Sequence, residues 1–407
     1  MNGRSRAVQL VLIALAGLFA KTLWFSASAV VPQLGDTWQL TPGQEAWLTN
    51  AVQLGFAVGA IVTGALNLPD RFDPRHVLAG GAALAALANA AIVWLEPPLA
   101  LVLVLRGLTG VGIAGVYPTA MKLVVTWYDR DRGFGVGFLV GAITLGAAAP
   151  HLLNAAGGEG VVLGLPPWRT VLLQTSLLGG VAAVLALGPI REGPFAHQRA
   201  PFAWNHAADL WRRPDLRLVN LGYLGHMWEL YAMWAWMPLL LLASYQEAGA
   251  SAAWGRVAGF AVVAVGAAGS LWAGRLADRV GRTAVTAGAL AVSGTCCLLA
   301  GLALDSPLLL TVIGLVWGVS VVADSAQFSA ALSELADPRY IGTVLTVQTG
   351  VGFLLTMVSI RLVPWLVQWG GWGYVFPVLA LGPVLGATSM LRLRARPEAL
   401  RMAGGNR

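Results

Sequence analysis

The chain has 407 residues, of which 57% are hydrophobic and only 11% are charged. Soluble domains carry about 25% charged residues, so a water-soluble body of this length could not cover its surface with so few charges. The composition therefore excludes an ordinary soluble protein and predicts that lipid is the solvent for most of the chain. The net charge of +7 does not indicate nucleic-acid binding, because the basic residues lie in short segments between apolar runs.

Motifs of ATP hydrolysis and of common hydrolases are absent from the sequence. Neither of the two lysines, Lys21 and Lys122, stands in a Gly-x4-Gly-Lys-[Ser/Thr] loop. No His-Glu-x-x-His or Gly-x-Ser-x-Gly motif occurs. The adjacent Cys296 and Cys297 fit neither a zinc-ligand spacing nor a disulfide framework. We therefore expect no enzyme activity, no cofactor and no metal site.

Twelve apolar runs are long enough to cross a bilayer, since a spanning helix needs about 20 residues. The first run follows the basic start Arg4-Ser5-Arg6 and is longer than the apolar core of a signal peptide, so we interpret it as a retained helix. The predicted spans are 7–31, 46–68, 76–95, 99–124, 133–155, 168–190, 215–243, 252–276, 283–304, 307–332, 340–367 and 373–393.

The basic residues lie mainly on one side of this twelve-helix arrangement. Twenty of the 26 fall in the N-terminus, in every second loop, in the long central linker or in the tail. By the positive-inside rule both termini are predicted to be cytoplasmic, in a cell inner membrane. The predicted division is an N-terminal six-helix half (1–190), a cytoplasmic linker (191–214), a C-terminal six-helix half (215–394) and a cytoplasmic tail (395–407).

The two halves resemble each other in their loops. The loops that begin at Gly64 and Gly274 are 210 residues apart, and the loops after the fourth and tenth runs have a similar offset. A six-plus-six parallel repeat is typical of secondary transporters with a site near the bilayer midplane. The predicted fold class is an all-α membrane protein with twelve transmembrane helices in two pseudo-symmetric halves.

One loop carries a family resemblance. Gly274-Arg275-Leu276-Ala277-Asp278-Arg279-Val280-Gly281-Arg282 resembles the signature loop of the major facilitator superfamily, Gly-x-Leu-Ala-Asp-Arg-x-Gly-Arg. The counterpart in the first half keeps Asp70 and Arg71 but lacks the second glycine. Arg106-Gly107-Leu108-Thr109-Gly110 resembles the intramembrane arginine motif of the same family. The resemblance implies the family's fold and a gating role for Gly274, Asp278, Arg279, Gly281, Arg282, Asp70 and Arg71.

Within that family the sequence is more similar to the anion-handling branches than to drug/proton antiporters. Ala142 stands where those antiporters carry a helix-5 proline. The segment 127–133, the glycine-rich fifth run and Pro167-Trp168-Arg169 resemble anion:cation symporters and nitrate/nitrite or cyanate-type carriers. Nitrate itself fits poorly, because the second run has no arginine and the eighth has only Arg256 at its start.

Ionisable side chains inside the predicted spans are candidates for function, because a charge at the bilayer centre costs a few kcal/mol or more. The two cations, Lys21 and Arg106, can balance the two carboxylates, Glu229 and Asp324, as pairs. Glu229 as a static partner of Lys21 or Arg106, and Arg106 as a structural residue, remain open alternatives. The candidate substrate-binding or coupling residues are Lys21, Trp24, Arg106, His226, Glu229, Tyr231, Asp324 and Gln327.

The sequence predicts a secondary active transporter that moves a small anionic organic solute by alternating access. Lys21 and Arg106 would supply the positive field, and Glu229, Asp324 or His226 would carry a coupling proton. The alternative is proton-coupled efflux of amphipathic or cationic compounds, with the two carboxylates binding the cation. A non-transporting receptor is disfavoured because it needs no midplane charges. The expected partners are a small-molecule substrate, protons and the lipid bilayer, with no nucleic acid, and the expected state is a monomer.

Overall fold

The computed structural model describes residues 3–128, 132–157, 166–195 and 202–406. Every regular element in these ranges is helical. The side chain of Asp70 and residues 129–131, which belong to predicted loop motifs, lie outside the described part.

Eighteen α-helices, some of them single turns, run through the described ranges. They are α1 (Gly3–Lys21), α2 (Val31–Trp38), α3 (Pro42–Ala65), α4 (Leu68–Arg71), α5 (Pro74–Leu95), α6 (Leu99–Thr126), α7 (Arg132–Ala156), α8 (Pro167–Leu187), α9 (Trp204–Ala207), α10 (Asp209–Arg212), α11 (Pro214–Glu247), α12 (Ala252–Ala264), α13 (Gly266–Val280), α14 (Arg282–Ala300), α15 (Pro307–Ala323), α16 (Ser325–Leu335), α17 (Ile341–Gly370) and α18 (Trp372–Arg394).

Ten helices of the described chain are long and apolar enough to cross a membrane, counting α12 with α13 and α15 with α16 as one span each. The protein is therefore a multi-pass membrane protein. The first and seventh predicted spans correspond to α1 and α11, which are also long but carry Lys21 and the pair His226 and Glu229. Because α1 and α11 are not among these ten helices, the count of twelve and the division into two halves stay predictions.

Local sequence signals explain where several helices begin. Proline occupies the first turn of α3, α5, α8, α11 and α15, where its missing N–H costs no hydrogen bond. Thr41 and Gln44 form a capping box at the start of α3. Asp73 and Asp337 each accept from the backbone N–H two residues later and pair with the arginine there, which lowers the pKa of both carboxyl groups.

Three predicted spans are interrupted. The span predicted over 7–31 is helical only to Lys21, then turns, and resumes in a short 3-10 helix at Ser28–Val30 before α2. The span over 252–276 is interrupted at Val265, and the span over 307–332 is interrupted at Asp324. Their apolar runs are continuous, so the sequence pattern predicted single helices. The interruptions at Val265 and Asp324 are one residue long, and the contacts described below account for the one after Lys21.

Close helix contacts surround the centre of the molecule. A Cβ on Gly55 of α3 would lie 1.9 Å from the Gly107 carbonyl oxygen of α6, so only glycine allows this approach. The helix α3 also meets α17, where the Asn50 amide donates to the Met357 carbonyl at 3.2 Å. The helix α7 packs against α1, α12 and α13. The Trp24 ring, in the segment after α1, contacts rings of α3, α11 and α17, so this segment lies between these three helices.

A buried cluster of charges and aromatic rings

Lys21 is the last residue of α1 and places its ammonium in the interior of the protein. The residue is only 6% exposed. Its Nζ lies 3.4 Å from the centroid of the Trp24 ring, and it donates to the Tyr231 hydroxyl at 3.3 Å. Within the described ranges no carboxylate oxygen lies within 4.0 Å of Nζ. The ammonium is therefore held by π faces and one long hydrogen bond, without a counter-ion.

Aromatic rings from three helices and the segment after α1 surround Lys21. The Trp24 ring centroid lies 4.9 Å from Phe56 of α3 and 5.3 Å from Phe353 of α17. Tyr231 of α11 lies 5.0 Å from Phe353. We call this set, which also includes Phe25 and Trp234, the aromatic cluster.

Several polar atoms around the aromatic cluster have no hydrogen-bond partner in the described part of the chain. They include the indole Nε1 of Trp24 and of Trp234. Gln53, one helical turn before Phe56 on α3, is fully buried, and neither its amide nitrogen nor its amide oxygen is bonded. Buried polar groups are almost always hydrogen-bonded, so these groups indicate a position for a polar ligand.

Arg106 holds the segment that follows α1. The residue is fully buried, and its guanidinium donates to the Leu23 carbonyl at 3.1 Å and to the Trp24 carbonyl at 2.6 Å. Three further bonds reach the Leu48 carbonyl, the Ser26 hydroxyl and the Asn89 amide oxygen. All five acceptors are neutral. The carbonyls of Leu23 and Trp24 are available because α1 has ended, so Arg106 and the helix interruption depend on each other.

His226 and Asp324 form a second buried charged group. The His226 Nδ1 lies 2.8 Å from Asp324 Oδ1, and each side chain is 1% exposed. Within the described ranges, none of the two nitrogens of His226 and the two carboxylate oxygens of Asp324 makes a hydrogen bond of normal geometry, so the 2.8 Å contact is a close approach of two ionisable groups. Asp324 stands at the interruption between α15 and α16, so the pair lies at a joint between two helices.

Glu229 does not form the expected ion pair with Lys21 or Arg106. Its Oε1 accepts from the Trp317 indole at 2.6 Å and its Oε2 accepts from the Ser293 hydroxyl at 3.0 Å. Both donors are neutral and come from α15 and α14. The charge balance expected from the sequence is therefore not made by direct contact, because packing places the cations and this carboxylate against different helices.

The predicted loop 274–282 is helical except at Gly281, since α13 extends to Val280 and α14 begins at Arg282, whose side chain lies against α16. Arg282 forms a bidentate ion pair with Glu334, with distances of 2.8 and 2.6 Å. Asp278 lies 3.5 Å from the same guanidinium. Gly281 has a φ of +98°, which explains the glycine at the turn. Gln327, expected at the substrate site, instead accepts from Arg282 at 2.9 Å, so the structure assigns it to this loop.

The other described residues of the predicted gating motifs make fewer contacts. Gly274 and Asp278 line a crevice of about 400 Å³ together with Gly137 of α7, consistent with an approach of this loop to the start of α7. Arg279 is exposed. Arg71, also exposed, makes one long bond to the Leu66 carbonyl at 3.5 Å.

The sequence did not identify the partners of these residues. Asn89 binds Arg106, and a polar residue within the apolar span 76–95 is a signal that could have found it. Phe56, Phe353 and Trp317 look like ordinary apolar residues of a membrane helix, so the sequence offers no signal for them.

The sequence is similar to those of several known transporters. The chain is 25% identical over 249 residues to the niacin transporter NiaP of Acinetobacter baylyi, covering 52% of this chain and 54% of that protein. It is 28% identical over 263 residues to the 3-(3-hydroxy-phenyl)propionate transporter of Escherichia coli, covering 61% and 59%. The matched part thus spans little more than half the length of these relatives.

A solved structure shares the fold. The proton:xylose symporter XylE, from Escherichia coli, superimposes with a TM-score of 0.76 over 96% of both chains at 14% sequence identity. The helices and their buried charges define a multi-pass α-helical membrane protein of the transporter fold. The model of the Major Facilitator Superfamily matches residues 13–359, and the chain belongs to that family.

Proposed function

We propose that this protein is a secondary active transporter whose substrate is an aromatic carboxylate. The observation that carries the proposal is the Lys21 ammonium, buried among aromatic rings with no carboxylate of the described residues within 4.0 Å. A buried charge without a counter-ion is costly, and an anion that binds Lys21 would remove this cost. The resulting charge-assisted hydrogen bonds are about twice as strong as neutral ones.

The surroundings of Lys21 favour a planar ring next to the carboxylate. The rings of Trp24, Tyr231 and Phe353 pack against one another with centroids 5.0 to 5.6 Å apart. A substrate ring that entered this cluster would make the same kind of offset or edge-on contacts, which contribute about 0.5–1.5 kcal/mol each. The indole N–H groups of Trp24 and Trp234 and the amide of Gln53 can bind ring substituents or the second carboxylate oxygen.

The relatives support the same chemistry. Niacin and 3-(3-hydroxyphenyl)propionate, which the names of two relatives give as substrates, each join an aromatic ring to a carboxylate. The efflux of cations is less well supported, because both Glu229 oxygens accept hydrogen bonds from neutral donors and Asp324 lies beside His226. We further propose proton coupling through the buried titratable groups, an inner-membrane location, cytoplasmic termini and a monomeric state.

Transport by reconstituted protein tests this function. Proteoliposomes with an inward proton gradient should accumulate radiolabelled nicotinate, and Lys21→Met should abolish the accumulation. Lys122→Met is the matched control, because the chain has only these two lysines. Equal nicotinate accumulation by Lys21→Met and the parent protein would contradict the proposed role of Lys21. No accumulation of any aromatic carboxylate by the parent protein would reject the substrate class.

A further inference from the structure

Gln53 of α3 lies where α3, α17 and the segment after α1 meet. One turn after it, the ring of Phe56 lies 4.9 Å from that of Trp24 and 4.3 Å from that of Phe353, measured between centroids. One turn before it, the Asn50 amide donates to a backbone carbonyl of α17. Residues three positions apart are neighbours on a helix surface, so Gln53 is on the side of α3 that faces α17.

The segment after α1 contacts α3 on both sides of Gln53 along the helix. The hydroxyl oxygens of Ser28 and Thr49 are 2.6 Å apart, and the rings of Trp24 and Phe56 pack together further along the helix. Gln53 lies between these two contacts and is fully buried. Its side chain therefore belongs to the interior that also contains the aromatic cluster.

Three polar atoms at this position have no hydrogen-bond partner in the described part of the chain. Two are the amide nitrogen and the amide oxygen of Gln53. The third is the amide oxygen of Asn50, whose nitrogen donates to the Met357 carbonyl at 3.2 Å. A buried polar group that lacks a partner is costly, so a ligand that binds these atoms would recover that cost.

The chemistry of the three atoms indicates which group they fit. Asn50 can offer a ligand only its oxygen, which accepts, because its nitrogen is already bound. Gln53 offers both a donor and an acceptor. A hydroxyl group donates and accepts, so one hydroxyl can serve both residues. A ring nitrogen or an ionised carboxylate only accepts and would leave the Asn50 oxygen unpaired.

The same position lies close to the proposed carboxylate site. The Lys21 Nζ is 3.4 Å from the centroid of the Trp24 ring, and the Trp24 ring packs on Phe56. Three residues of α-helix span about 4.5 Å, which separates Phe56 from Gln53 along α3. The polar atoms of Gln53 therefore lie at the edge of the aromatic cluster that contacts Lys21.

We propose that Gln53 and the amide oxygen of Asn50 bind a hydroxyl group on the ring of the substrate, so that the transporter selects hydroxylated aromatic carboxylates over unsubstituted ones. This inference rests on the proposed function, because Lys21 binds the carboxylate of the same molecule. It makes Gln53 a specificity-determining residue and separates recognition of the ring from recognition of the charge.

Ligand pairs of matched size test the inference. Calorimetric titration compares 3- and 4-hydroxybenzoate with the corresponding methylbenzoates, in which a methyl group of similar size replaces the hydroxyl. The better-bound hydroxybenzoate should have at least about ten-fold higher affinity than its methyl analogue, because the methyl group leaves the buried amide atoms unpaired.

Variants separate the two parts of the site. Gln53→Met keeps the length of the side chain and removes its hydrogen bonds, so the preference for the hydroxyl should fall to about two-fold or less. Lys21→Met should lower both affinities of a pair by a similar factor and keep the preference. Gln368→Met changes an exposed glutamine of α17 and should keep the parent affinities.

Thermal unfolding without ligand distinguishes a binding role of Gln53 from a structural one. Gln53→Met, and Gln53→Leu as a second variant, should unfold at the parent temperature or above it, since each removes a buried amide that has no partner. A large fall in the unfolding temperature of both variants would give Gln53 a structural role and overturn the inference.

The binding data also distinguish this inference from the proposed function. A hydroxyl preference that persists in Gln53→Met, or equal affinities of the parent protein for the two members of each pair, would overturn the inference and leave the Lys21 site standing. A parent protein that binds none of these benzoates and no nicotinate would reject the aromatic carboxylate substrate itself.

Discussion

Arg106 and Lys21 are both buried cations beside the interruption that follows α1, but their surroundings differ. Arg106 makes five hydrogen bonds to neutral acceptors, whereas Lys21 makes one, at 3.3 Å. Neither has an acidic partner within 4.0 Å in the described structure. The comparison shows that burial of a charge does not by itself indicate a ligand site. The number of hydrogen-bond donors that lack an acceptor is the better indication, and on that basis we propose Lys21 as the binding residue and Arg106 as a structural one.

The largest effect should come from Arg106→Leu. The substitution removes the donor that the Trp24 carbonyl receives and one donor each from the Leu23 and Leu48 carbonyls. A buried polar group left without its partner costs about 1–3 kcal/mol, and several are affected here. We expect a large fall in the thermal unfolding temperature of the detergent-solubilised protein. Arg106→Lys should not restore stability, because one ammonium cannot reach acceptors arranged around a planar guanidinium. An Arg106→Leu protein with the same unfolding temperature as the parent would contradict the structural role of Arg106.

Lys21→Met should lower nicotinate affinity without lowering thermal stability. Removing an uncompensated buried charge should leave thermal stability unchanged or raise it, while nicotinate affinity falls by roughly 10- to 100-fold, the loss expected for a charge-assisted bond. Thermal unfolding with and without nicotinate measures both quantities on one sample, since a ligand stabilises only the form that binds it. If Lys21→Met lowers the thermal unfolding temperature as much as Arg106→Leu does, Lys21 has a structural role and not a binding role.

Asp324→Asn and Glu229→Gln test which of the two buried carboxylates couples transport to protons. Asp324→Asn should reduce nicotinate accumulation driven by a proton gradient by at least about ten-fold while retaining exchange between compartments of equal pH, since only proton movement is lost. Glu229→Gln should retain most of the accumulation, because its neighbours are neutral donors. The reverse pattern would identify Glu229 as the coupling residue.

The smallest effect should come from Tyr231→Phe. The substitution removes the single hydrogen bond to Lys21 but keeps the ring, so nicotinate affinity should change by about five-fold or less. Tyr231→Ala is the informative partner variant, since it also removes ring contacts with Trp24 and Phe353. Equal losses in the two variants would mean that the hydroxyl, and not the ring, contributes to the site.

The sequence predicted the membrane environment, the positions of most helices and the burial of Lys21, Arg106, His226, Glu229 and Asp324, because these follow from composition and apolar length. It did not single out Asp215 and His151, which are also buried. It did not predict the interruption after Lys21, since the apolar run continues there and the cause is a contact with Arg106 of another helix. The partners of Glu229 and the position of Gln327 beside Arg282 were missed for the same reason. Contacts between helices depend on packing that periodicity does not record.

The most direct test of the central claim compares nicotinate with nicotinamide, which has the same ring and an uncharged amide. Calorimetric titration of the parent protein should give a nicotinate affinity at least about ten-fold higher than that for nicotinamide. In Lys21→Met the two affinities should become equal, while Lys122→Met should keep the parent preference. An undiminished preference for nicotinate in Lys21→Met would show that another group binds the carboxylate and would contradict the account.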